Sequence, residues 1–310
     1  GAQMFKLIPA LKDYVWGGNR LKSLYGREGG DKVAESWEVS VHPDGPSGIA
    51  GGGTLAEYLA ARPEAAGAAG GLPVLIKYID AAQNLSVQVH PDDAFARREE
   101  GDNGKTEMWY VIGAEEGAGI YCGFRKDTDK DAFLAKVQDG SVQELLNFIP
   151  VKAGDCFLIE AGTVHAIGAG CLICEVQQSS NVTYRVYDYG RLVNGKPRQL
   201  HLDKAMRVIN FSAFRDRTGS GKKEPAGEGC ALRHLTQCRY FRCRELTLGG
   251  TFAEQNGGSF TAIDFLSGEG EINGERFRAG DSFFIPCGEK FEIKGKGLAV
   301  LTDSPKEETI

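Results

Sequence analysis

Residues 86–90 read Ser-Val-Gln-Val-His and run straight into Pro-Asp-Asp. In an extended strand successive side chains alternate between faces, so Gln88 and His90 share one face and Val87 and Val89 the other. The valines read as core. A glutamine beside a histidine, with Pro91 stopping the strand, reads either as a wet face or as donors presented to a ligand. Two more residues of this half have compatible chemistry. Glu107 opens the apolar run Met108-Trp109-Tyr110-Val111-Ile112, and His165 follows a turn at Gly162. A Gln-x-His pair on one strand, a glutamate on a neighbour and a late histidine on a third is the layout of a metal site in the mouth of a β-barrel. Imidazole nitrogen and carboxylate oxygen are both good donors to a borderline divalent ion such as zinc. Ligation without cysteine leaves a position for water or substrate, as catalytic zinc sites do.

These donors must be held by strands, and the chain supplies many. Glycine makes up 42 of the 310 residues, about twice the usual share. The glycines punctuate short β-prone runs such as "PVLIKYI", "MWYVIG", "CLICEVQQ" and "DSFFIPCG". Many short strands with glycine turns predict an antiparallel sandwich or barrel. Helical spacing appears near 54–70 behind a Thr54 N-cap, and over 128–149 as two short helices broken at Gly140. A third helix is expected in "LHLDKAMRVINF", and Asp92 and Asp93 are expected to cap the turn after Pro91. The polar stretch 215–229 reads as a linker or mobile loop. An ungapped echo relates "KAGDCFLIEAGTVHAI" (152–167) to "RAGDSFFIPCGEKFEI" (278–293). It argues for two related β-domains. His165 of the first copy is Phe291 in the second, so histidine chemistry belongs to the first alone.

Bulk properties exclude several classes. The net charge of −6 implies no basic face, which argues against a nucleic-acid partner. No apolar run approaches the roughly 18 residues of a membrane helix, and the N-terminus lacks the apolar core of a signal peptide. The eight cysteines, Cys171-x-x-Cys174 included, read as free thiols of a cytoplasmic protein.

Four stretches carry a more specific signal: "QNLSVQVHPDD", "GKTEMWYVI", "GTVHAIGAG" and "SSNVTYRVYDYGR…GKPRQLHLDKA". Together they resemble the type I mannose-6-phosphate isomerases in their short bacterial form. These are zinc-dependent members of the cupin superfamily that interconvert mannose 6-phosphate and fructose 6-phosphate. The resemblance covers Tyr14 to about Phe211, and "YVWGGNRLKSLYG" and "AESWEVSVHPDGPSGIAGG" share it. It implies a mainly β protein of two cupin-type jelly-roll barrels with small helical insertions. A catalytic domain would span 1–211, a linker 212–231 and a metal-free C-terminal copy 232–310. It implies one Zn2+ per chain on Gln88, His90, Glu107 and His165, and a hexose 6-phosphate as substrate.

The resemblance also sets Arg185 as the catalytic cation, stabilising an enediolate or binding phosphate, and Lys105 as an acid/base or phosphate contact. Ser86 resembles a substrate-contacting serine. Glu175, flanked by apolar residues, would have its pKa raised by burial, as a general base prefers. Lys77 is a charge inside an apolar strand and must reach the cavity or an ion pair, because an unpaired buried charge is costly. Glu35 is a further cavity acid. Trp16 and Trp37 read as packing residues, His201 and His234 as structural, and His42 lacks a partner for the site. Two rival functions have less support. Another cupin metalloenzyme, such as an iron oxygenase, is disfavoured by the glutamine ligand. A non-catalytic sugar-phosphate-binding cupin would ordinarily have lost a ligand, and this chain keeps all four.

Overall fold

The computed structural model describes residues 3–67 and 70–304. The expected mainly β architecture with small helices forms. Its strands lie in three large sheets whose pairing runs as open paths. A six-stranded sheet orders Cys156–Ile159, Glu107–Ala114, Cys171–Gln178, Val74–Asp80, Glu35–Val39 and Ala10–Lys12. A five-stranded sheet orders Tyr184–Tyr187, Val87–Val89, His165–Ile167, Gly119–Phe124 and Leu146–Pro150. The C-terminal strands build a nine-stranded sheet that also takes Phe5–Ile8, paired antiparallel with Ser282–Ile285.

Alternation explains why the strands bury as they do. Val87 and Val89 have no exposed surface and pack with Phe124, Phe133, Val164 and Val186 behind the five-stranded sheet. Removing a valine side chain from water contributes roughly 1.5–3 kcal/mol, which fixes the register and hence the face Gln88 and His90 occupy. Another apolar cluster is continuous from Tyr78, Met108 and Cys174 of the six-stranded sheet to Cys243, Phe284 and Val300 of the nine-stranded one.

The internal echo is structural. The strand Cys156–Ile159 falls on Ser282–Ile285 at the same offset, and His165–Ile167 falls inside Lys290–Asp303. Both copies turn at a glycine with a left-handed backbone, Gly154 at φ 92° and Gly280 at φ 96°. At such angles a side chain is strained, which is why both turns keep Ala-Gly-Asp. Phe291 is buried among Phe252, Phe283 and Ile293, so the second copy fills with apolar side chains the place where the first holds a histidine.

Helix boundaries follow local chemistry. Over 54–70 the helix Leu55–Ala61 is capped by Thr54 and ends before Pro63, whose ring disfavours helical backbone at Arg62; residues 68 and 69 lie outside the described ones. Gly140 ends Lys130–Asp139, and a short 3-10 turn, Val142–Leu145, follows. The helix expected near His201 spans Leu202–Val208. Three stretches differ from expectation. Residues 146–149, expected at the end of a second helix after Gly140, belong to the strand Leu146–Pro150. Asp92 caps a true helix, Asp93–Glu100, where only a turn was expected. Within 215–229, read as linker or mobile loop, Lys223–Ala226 forms the edge strand of the nine-stranded sheet, its backbone satisfied by pairing with Cys230–Gln237.

Candidate active site and metal centre

Two cross-strand rows build the site. In the five-stranded sheet Arg185 lies opposite Gln88, and Gln88 opposite His165. In the six-stranded sheet Trp37 lies opposite Lys77, Lys77 opposite Glu175, and Glu175 opposite Trp109. Residues directly opposite in a ladder share a face, so each row presents its polar groups together. Glu107 joins the second row two residues from Trp109. All of these except Trp37 line a cavity of about 290 Å³ with Tyr14, Trp16, Glu35, Ser86, Lys105, Asn181, Thr183 and Arg198.

His90, Glu107 and His165 are buried, with ligand atoms all within 4.8 Å of one another. His90 Nδ1 lies 2.9 Å from the Val182 carbonyl and His165 Nδ1 2.8 Å from the Thr163 carbonyl. A carbonyl only accepts, so each Nδ1 carries the proton and each Nε2 presents a lone pair. Those lone pairs face the Glu107 carboxylate, at 3.4 Å from His90 and 3.3 Å from His165. Burial, and then the Lys105 charge, push the His90 pKa down to about 3. Burial also lowers that of His165. Three acceptors turned on one another in a buried space require a cation. Lys105 Nζ provides one, 2.5 Å from Glu107 Oε2 and 3.2 Å from His90 Nε2. The donor chemistry therefore fits a divalent ion as well as an ammonium. Gln88 donates its amide nitrogen to the Ser86 carbonyl and Oγ, both at 3.2 Å, which turns its amide oxygen the other way.

Buried carboxylates and lysines fill the opposite wall. Glu175 lies 3.5 Å from Lys77 Nζ and accepts from the Trp109 indole at 2.9 Å; the same indole reaches Glu107 at 3.2 Å. Burial, and then the Glu107 charge, push the Glu175 pKa up to about 7. Lys77 also meets Glu35 at 3.4 Å. Burial favours its neutral form, but the carboxylates Glu35, Glu175 and Glu107 outweigh it and raise its pKa. Lys77 thus meets both expectations for a buried lysine, an ion pair and the cavity. Trp37 is fully buried and donates to Glu35 at 2.9 Å, while Trp16 both packs and lines the cavity.

The mouth is cationic. Asp188, the acid nearest to Arg185 along the chain, is taken by Arg191 at 2.5 Å and by Arg198 at 2.8 Å through two nitrogens. Arg185 gives Nη1 to the Gln199 carbonyl at 2.8 Å, and its buried Nε has no partner. Three guanidinium groups against one carboxylate leave two positive charges, and Arg185 is lowered by burial and then by Arg198. Arg198 was missed in the sequence. The signal for it was Asn194-Gly195, a two-residue hairpin turn between Leu192–Val193 and Lys196–Pro197 that brings Arg191 and Arg198 to one base. His201 accepts the Arg185 backbone N–H at 3.1 Å, a structural role as expected; His42 and His234 stand outside the cavity lining.

A buried His-Glu-His donor set between two sheets, beside two lysines, a neutral-range carboxyl and an arginine cluster, makes a candidate metal site with a cationic mouth, the class of site found in metal-assisted enzymes. Comparison with known proteins narrows the class. The model of the phosphomannose isomerase type I catalytic domain matches residues 4–126. Mannose-6-phosphate isomerase ManA of Bacillus subtilis is 36% identical over 95% of this chain and 96% of its own length. That of Streptococcus mutans is 37% identical over 88% of this chain and 89% of its own. The crystal structure of the mannose 6-phosphate isomerase from Bacillus subtilis superposes with a TM-score of 0.91 at 32% identity, covering 97% of this chain and 99% of that one. The chain belongs to the type I mannose-6-phosphate isomerase family, and is a sugar isomerase of the cupin-type fold.

Proposed function

We propose that the chain is a zinc-dependent aldose–ketose isomerase that interconverts mannose 6-phosphate and fructose 6-phosphate through an enediol. The observation that carries this reading is the pair of inward-facing imidazole lone pairs on Glu107, next to a buried carboxyl whose pKa lies near neutrality. Gln88, through its amide oxygen, His90, Glu107 and His165 would hold one Zn2+. Bound there, zinc supplies Lewis-acid polarisation of the sugar oxygens.

The remaining chemistry belongs to side chains. The reaction removes the proton from C2 of the open-chain aldose and returns one to C1, while O2 loses a proton and O1 gains one. Glu175 suits the carbon proton, because a pKa of about 7 lets it both accept and give back. Lys105 and Lys77 are buried ammonium groups that stabilise negative charge developing on the sugar oxygens and exchange protons with them. Ser86 orients the substrate and Gln88 together. Arg185 and Arg198 take the phosphate, whose dianion balances the two surplus charges at the mouth. Phosphate binding then holds the reacting carbons in place. Residues 232–310, with Phe291 in place of a histidine, serve as a metal-free packing unit. The described cysteines are all free, which favours a reducing compartment such as the cytoplasm.

The test is a coupled assay of mannose 6-phosphate to fructose 6-phosphate conversion before chelation, after it, and after zinc is returned. Activity lost to the chelator and restored by zinc is the expected result. Full activity in protein shown by elemental analysis to hold no metal would sink the metal reading.

A further inference from the structure

The chain carries a second His-Pro-Asp, His42-Pro43-Asp44, that the site does not use. His42 is buried, and its ring is fixed at both nitrogens. The Asp44 backbone N–H donates to Nδ1 at 3.1 Å, so the proton sits on Nε2, which lies 2.9 Å from Asp102 Oδ2. The same Asp102 oxygen accepts the Asn181 backbone N–H at 3.1 Å, and Asp102 Oδ1 accepts that of Asn103 at 2.8 Å. Asn181 is held a second time, its side-chain amide donating to Asp44 Oδ2 at 2.8 Å. Ser180 Oγ donates to the Asn103 carbonyl at 2.7 Å and accepts from Val182 N–H at 3.3 Å. The next carbonyl along this strap, that of Val182, accepts from His90 Nδ1.

We propose that His42 and Asp102 are positioning residues that pin the 180–182 strap, whose Val182 carbonyl fixes the ring plane and tautomer of the metal-ligating His90. The inference rests on the metal reading above and extends it by one layer. The strap has no regular secondary structure to hold it. Its carbonyl is placed by these side chains together with Gln177 Nε2, which donates to the Ser180 carbonyl at 2.7 Å, and the buried Val182 side chain, and a ligating histidine depends on the acceptor at its far nitrogen for orientation. Neither His42 nor Asp102 lines the cavity, so neither is a catalytic residue.

The experiment uses the full chain loaded with zinc and measures zinc affinity by competition with a chromophoric chelator, together with the melting midpoint of each metal-free variant. His42→Phe and Asp102→Asn are expected to weaken zinc about 10-fold, the lower end of what loss of a group behind a ligand costs. His42→Gln keeps an N–H for Asp102 and is expected to stay within about threefold. His90→Ala runs in parallel and is expected to lose tight binding. Wild-type affinity in His42→Phe and Asp102→Asn, whatever their melting midpoints, overturns the proposal. So does an equal loss in the Gln and Phe variants. If Asp102→Asn does not fold, the two His42 variants decide alone. Equal zinc binding by wild type and His90→Ala identifies the metal reading itself as the failure.

Discussion

Glu175→Gln separates the chemistry of the buried carboxyl from its cost to the fold. Glu175 is buried, and its pKa stands at about 7 against an ordinary 4.5, chiefly through burial and then through the Glu107 charge. A folded-state pKa above the unfolded value means that the native state holds the proton more tightly. Stability from this group is full below pH 4.5 and is lost as pH rises through 7. At 1.36 kcal/mol per unit, the raised pKa costs the fold about 1 kcal/mol at pH 5, where only the unfolded chain ionises, and about 3 kcal/mol at pH 8. Glutamine copies the protonated acid in shape and still accepts from the Trp109 indole. The variant should therefore be more stable than wild type, with a gap that widens by about 2 kcal/mol between pH 5 and pH 8. Urea denaturation of the metal-free proteins at both pH values measures it. Isomerase activity of the zinc-loaded variant should fall by about 10²–10⁴, the usual contribution of a positioned acid–base. A gap that stays flat or shrinks with pH would show that Glu175 ionises well below neutrality and would refute the poised-base reasoning. A turnover loss under tenfold would move the carbon proton to another group.

Arg198→Ala should raise KM for mannose 6-phosphate about 10- to 100-fold with a smaller change in kcat, the worth of one charge-assisted hydrogen bond to phosphate; an unchanged KM in the coupled assay would remove the phosphate from the arginine cluster. Gly268→Ala should destabilise the nine-stranded sheet by about 2 kcal/mol or more. Its backbone is left-handed at φ 87° and an added Cβ would overlap the Lys296 carbonyl oxygen, so a melting midpoint equal to wild type would contradict the register found there.

What the sequence disclosed depended on how local each determinant is. The candidate metal donors were legible because the strand period decides which side chains share a face: Gln88 and His90 stand one pleat apart, and the alternating Val87 and Val89 are fully buried. The echo at 152–167 and 278–293 was legible because an Ala-Gly-Asp turn requires glycine in both copies. The helix Asp93–Glu100 was not. Its "DAFARREE" is short and polar, with only Phe95 and Ala96 buried, so no apolar stripe marks it. The edge strand Lys223–Ala226 carries almost nothing apolar, and its pairing is supplied by a neighbour rather than by its own side chains.

His42 shows the same limit just outside the site. In sequence it is a histidine without a partner, because the partner, Asp102, is sixty residues away, in the loop after the helix Asp93–Glu100. What joins them is the hydrogen-bond demand of a backbone strap that no periodicity encodes. Arg198 was hidden in a different way, by a hairpin whose turn residues were readable while the destination of its base was not. The candidate donors follow from local pattern, and the groups that hold those donors still follow from tertiary hydrogen bonding. The second set is therefore where substitutions should separate zinc affinity from fold stability, since its members contribute little apolar burial and act through the orientation of a single imidazole.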